Sequence, residues 1–123
     1  MKKHAPFGTP QPCESPEHAG ALKQAAENGP TPDEYADMSL FFSIFADGTR
    51  LLIISLLAGG ELCVGHICAA VGISQSAVSH QLAVMRRMNI VKARREGRQV
   101  LYSLADAHVR EIFEVALEHT RER

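Results

Sequence analysis

With 123 residues, 46% of them hydrophobic, and a formal charge of −1, the chain has the size and make-up of one small globular domain. No apolar run approaches the roughly 18 residues of a membrane-crossing helix, and the opening MKKHAPFGTP lacks the apolar core of a secretion signal, so the expectation is a cytoplasmic protein with no membrane partner. Three cysteines without the spacing of a disulfide framework fit a reducing compartment and leave thiols free for metal or redox chemistry.

Residues 1–18 hold Pro6, Pro10, Pro12, Pro16 and Gly8, a composition that predicts an extended or mobile arm; it carries three potential ligands, His4, Cys13 and His18. Residues 19–28 are good helix formers, stopped by Asn28-Gly29-Pro30. Thr31-Pro32-Asp33-Glu34 then reads as a capping box, with Thr31 at the N-cap, Pro32 at the first helical position and Glu34 reaching back. The helix it opens carries Met38, Phe41, Phe42 and Phe45 at helical spacing, a pattern expected of core. Asp47 should cap the next helix, Gly48 to Ala58, whose Leu51, Leu52, Ile54, Leu56 and Leu57 predict the buried centre of the fold.

Glu61 to Val71 reads as a short helix, Gly72-Ile73 as a tight turn, and Ser74 onward as a longer helix. Two helices joined by a brief glycine-containing turn are a helix-turn-helix pattern. In the second helix Val78, Leu82 and Met85 should face the core. Gln75, Ser76, Ser79 and His80 should stand outward near the N-terminus, where a recognition helix meets base edges, and Arg86 and Arg87 at the far end suit phosphates. Asn89 to Leu104 reads as a β-hairpin turning at Glu96-Gly97, with Arg94, Arg95 and Arg98 gathered around the turn. From Ser74 to Arg98 there are six basic residues against one acidic, a local net of +5 in a slightly acidic chain. Such a localised basic face points to DNA as the partner.

Ala105 to Arg123 predicts one amphipathic helix, with Ile112, Val115 and Ala116 recurring on one face. Asp106, His108, His119 and Glu122 are all competent ligands for a divalent transition metal, and two imidazoles with two carboxylates suit a tetrahedral zinc site; cobalt and nickel are the alternatives. His108 and His119 are eleven residues apart, so they share a face but lie roughly 16 Å apart along the axis. One helix cannot close the site. Two copies packed antiparallel can, because the Asp106/His108 end of one then meets the His119/Glu122 end of the other.

The run from Glu61 to Leu104, with Phe45-Ala46-Asp47 and Thr49-Arg50 before it, resembles the ArsR/SmtB family of metal-responsive repressors, over residues 35–123. The resemblance implies a mainly α fold with a small β-hairpin, a winged helix-turn-helix whose N- and C-terminal helices form a homodimer interface. With the proline-rich composition of the opening, the expected division is a flexible arm, 1–18, and a DNA-binding and dimerisation domain, 19–123. The resemblance implies operator binding when metal-free and release on metal binding, with no catalysis and no small-molecule substrate. Family zinc sensors carry Asp-x-His and His-x-x-Glu pairs on the last helix, and Asp106, His108, His119 and Glu122 match that spacing. A second family site uses an ELCVC-type motif with arm cysteines; here Cys63 matches its first cysteine, Gly65 replaces the second and His66 stands in the place of an Asp. Cys63 and His66, with Cys13 and His18, form that candidate second site. Two other readings remain: a thiol switch of the same fold acting through Cys13, Cys63 or Cys68, and an enzyme using Cys63 and His66 as nucleophile and base, for which nothing supplies an oxyanion hole.

Overall fold

The computed structural model describes residue 11 and residues 13–122. His4 and most of the proline-rich opening lie outside the described residues, as does Arg123. The chain divides into two compact units between Ala36 and Asp37, within the second helix.

In the first unit, α1 (Pro16–Asn28) begins three residues before the expected start, so Pro16, Glu17 and His18 are helical rather than part of an arm. The reason is local. Proline fits the first helical turn, where its missing N–H would go unused, and Glu17 favours the positive end of the helix. No residue of α1 is buried. The capping box forms as read: the Glu34 N–H donates to Thr31 Oγ1 at 3.1 Å, and the Thr31 N–H donates to Glu34 Oε1 at 2.8 Å.

The second unit holds the core. From α2 (Pro32–Phe45) it takes Ile44, from α3 (Gly48–Ala58) it takes Ile53, Ile54 and Leu57, all buried. Asp47 caps α3 by accepting the Arg50 N–H at 3.0 Å. Two expectations fail here. Met38 and Phe42 are 46% and 49% exposed, and Leu51 and Leu52 are 37% and 41% exposed. Helical spacing shows that a face is apolar; it does not say whether this chain or another covers it.

Leu62–Cys63 form a two-residue strand, β1, where the sequence suggested helix from Glu61. They pair antiparallel with Leu101 and Tyr102, a non-local partnership that local propensity cannot announce. Next come α4 (Val64–Val71) and α5 (Gln75–Arg87), which meet at 112°. The turn between them depends on Gly72, whose φ of +80° is left-handed and closes α4 through its N–H to the Cys68 carbonyl at 2.8 Å. Ser74 caps α5, its Oγ accepting the Ala77 N–H at 3.2 Å.

The hairpin is β2 (Val91–Glu96) and β3 (Gln99–Leu104), in a sheet ordered β1-β3-β2. Glu96 pairs with Gln99, so the turn is Gly97-Arg98 rather than Glu96-Gly97, and Gly97 holds it with φ +61°. The last helix, α6 (Ala107–Arg121), buries Val109 and packs on α3 and β3. No single helix among the described residues is long and apolar enough to cross a membrane.

Candidate DNA-binding face and metal-ligand clusters

The second helix of the helix-turn-helix sorts its residues cleanly. Val78, Leu82 and Met85 are fully buried, as the spacing requires. Gln75, Ser76, Ser79 and His80 are all exposed on its first two turns, and Arg86 and Arg87 are exposed at its end. The N-terminal turns can therefore present amide, hydroxyl and imidazole groups to base edges while the guanidinium groups meet phosphates.

The three arginines of the wing do not behave alike. Arg95 and Arg98 stand exposed, Arg98 in the turn itself. Arg94 is engaged: its Nε and Nη2 donate to the two carboxylate oxygens of Glu61 at 2.7 and 2.8 Å, and its Nη1 donates to Glu96 at 3.2 Å. These hydrogen bonds, with the attraction of Arg94 and Lys92, hold the Glu61 carboxyl below the usual carboxylate range. Glu61 is singled out by its geometry with Arg94 and not by its position in the chain. Nothing local singles it out, because its partner lies 33 residues away.

On α6 the four expected ligands divide between the two ends. Asp106 is the N-cap, its Oδ1 accepting the Val109 N–H at 3.1 Å, and His108 Nδ1 lies 3.8 Å from the same oxygen. Their side chains are 56% and 83% exposed, open to a further ligand-bearing chain. His119 lies in the last turn and Glu122 is the C-cap. Among the described residues no three His, Cys, Asp or Glu side chains converge within one chain. A four-ligand site at either end of α6 therefore needs donors beyond those that the described residues of one chain bring together, and the donor types suit zinc.

Two Cys–His pairs are already assembled elsewhere. In the first unit Cys13 Sγ lies 2.6 Å from His18 Nδ1; in the second, Cys63 Sγ, at the N-cap of α4, lies 3.3 Å from His66 Nδ1. Cys68 instead packs against the core. Between α2 and α6 lies a hollow of about 580 Å³ lined by Met38, Phe41, Phe42 and Ile112, and a second apolar hollow beside it is lined by Ile112, Val115 and His119.

A helix-turn-helix with an exposed polar recognition surface and a basic antiparallel wing is a winged helix-turn-helix DNA-binding fold. Residues 47–93 match the family described as bacterial regulatory protein, arsR family. The chain is 42% identical over 111 residues to the transcriptional repressor SmtB homolog of Synechocystis, covering 89% of this chain and 84% of that protein. It is 36% identical over 103 residues to the cadmium resistance transcriptional regulatory protein CadC homolog of Staphylococcus aureus, covering 83% and 81%. The solution structure of the homodimeric winged helix-turn-helix DNA-binding domain of Mb0332 from Mycobacterium bovis superposes with a TM-score of 0.62 at 29% identity, over 92% of this chain and 93% of that one. The protein belongs to the ArsR/SmtB family of transcriptional regulators.

Proposed function

We propose that this protein is a metal-responsive repressor that binds operator DNA as a homodimer when metal-free and leaves it when zinc binds between paired α6 helices. The observation that carries the reading is the division of ligands on α6: Asp106 and His108 at one end, His119 and Glu122 at the other, with an apolar face between. Two-fold pairing would bring His119 and Glu122 of the partner subunit to Asp106 and His108, twice over. Bound zinc would supply a four-coordinate link between chains. The exposed Met38, Leu40 and Phe42 of α2 and Val115 of α6 support the dimer, since grouped exposed apolar side chains mark an interface. In such a scheme metal and DNA each weaken the other's binding by one common factor.

The test is anisotropy of labelled duplex DNA, selected by the wild-type protein from a randomised library, titrated with zinc and in parallel with cobalt and nickel. Zinc should release the wild type and leave His119→Ala bound. Release of both alike would refute the α6 site.

One observation favours a second reading. The Cys63–His66 pair already points sulfur and nitrogen together at the start of α4, half of an N/S ligand set, and Cys13–His18 is a like pair in the first unit. Loss of zinc release in Cys63→Ser rather than His119→Ala would establish it. Release by oxidant and not by metal would make these thiols a redox switch instead.

A further inference from the structure

β1 and β2 are the outer strands of a sheet whose middle strand is β3, and they share no ladder. Arg94 on β2 stands opposite Leu101, and Leu101 stands opposite Cys63 on β1. At about 4.8 Å between neighbouring strands, the outer two run roughly 10 Å apart. The Arg94 side chain spans that gap and grips both oxygens of Glu61, the residue immediately before β1. A third contact, to Glu96, leaves each of its three side-chain nitrogens facing a carboxylate.

Glu61 leads directly into β1 and from there into α4, the first helix of the helix-turn-helix. The fork-on-fork pair thus ties the wing to the root of that helix, and a bidentate guanidinium–carboxylate contact fixes direction as well as distance. β2 is the outer strand on the wing side and shares no ladder with β1, so the Arg94–Glu61 pair is a direct side-chain link between the two edges of the sheet. We infer that Glu61 is a positioning residue for DNA binding, acting through Arg94 to hold the wing, and that the wing's phosphate contacts belong to Arg95 and Arg98. The inference rests on the DNA-binding reading.

The sign of one substitution separates the alternatives. Glu61→Gln removes a negative charge from a protein that binds a polyanion, so electrostatics alone makes binding tighter. A lost tie makes it weaker, by about two- to fivefold for each protomer of the bound dimer on the scale of exposed ion pairs. Arg94→Gln should weaken binding more, since it also removes a positive charge and leaves Glu61 and Glu96 unpaired, and adding Glu61→Gln to it should weaken binding no further, because the pair is already broken. A loosened wing lowers the population of the competent state without removing a phosphate contact, so the dependence of affinity on salt should be unchanged in Arg94→Gln. It should flatten by about 1.8 in slope for Arg98→Gln, about 0.9 for each of the two subunits of the DNA-bound dimer.

The experiment is anisotropy on the library-selected duplex across a salt series, with amide hydrogen exchange of the free proteins beside it. Weaker binding by Glu61→Gln, with faster exchange from Lys92 to Gln99, is the expected result. Equal or tighter binding, or unchanged exchange in the wing, overturns the inference. If the wild type selects no duplex, the DNA-binding reading fails, and the tie is then decided by the exchange result alone.

Discussion

Asp106 is asked to do two things, and they can be separated. Its Oδ1 caps α6 through the Val109 N–H at 3.1 Å, and its carboxylate is a ligand in the proposed zinc site. Asp106→Ala removes both functions. Losing an N-cap costs about 1 kcal/mol, within a range of roughly 0.5–2. For a unit of this size that lowers Tm by about 4–8 °C per kcal/mol. Asp106→Asn keeps a side-chain oxygen in the same place, and asparagine caps about as well as aspartate, so the metal-free Tm should fall little. As a metal ligand, however, a neutral amide is much the poorer donor. Zinc at about a hundred times its dissociation constant stabilises the wild type by roughly 2.7 kcal/mol. A tenfold weaker site forfeits about 1.4 of that. Thermal unfolding followed by circular dichroism, in chelator and then in excess zinc, reads both effects. A metal-free Asp106→Asn protein as unstable as Asp106→Ala would refute the cap argument. A full zinc-induced rise in Asp106→Asn would refute the ligand assignment.

Two further outcomes test the fold itself. Leu82 is fully buried in α5, so Leu82→Ala should cost about 2–5 kcal/mol in chemical denaturation and weaken DNA binding with it; a smaller loss would mean the core is not where it is placed. Gly97 has φ +61° with nothing within 4 Å of where a Cβ would go, so Gly97→Ala costs only backbone strain, about 1–2 kcal/mol. That strain should appear as faster amide exchange across Val91–Leu104 with the recognition helix unchanged.

Most of the architecture was legible in the chain because its signals are local. Thr31, Asp47 and Ser74 each cap the helix that the sequence places after them, and Val78, Leu82 and Met85 turn inward at helical spacing. What escaped is non-local. Leu62 and Cys63 become a strand only because Leu101 and Tyr102 are there to pair with them. Glu61 matters only because Arg94 arrives from across the sheet. The exposure of Met38, Phe42, Leu51 and Leu52 escaped for another reason: an apolar stripe reads the same whether its cover is intramolecular or a second chain.

Under the proposed function, that ambiguity bears on how a distant ion governs DNA binding. The inner face of α6 rests on α3 and β3, with Val109 buried, while Val115 on its outer face is 63% exposed. Whatever the outer face docks against is therefore one helix thickness from the body that carries α5. Under the proposed function that partner is a second α6, and the two recognition helices must enter major grooves about 34 Å apart. Each then sits roughly 17 Å from the two-fold axis, so a rotation of about 10° per protomer moves it by about 3 Å. A shift of that size exceeds the tolerance of a hydrogen bond, and contacts to bases and phosphates are lost together. Ligands at the two ends of α6 act on the rotation itself, because they fix the crossing of the paired helices at its widest points. A ligand set clustered at mid-helix would hold the pair together yet leave that angle free. The separation of Asp106 and His108 from His119 and Glu122, which rules out a site within one chain, is what would give the ion its leverage over the pair.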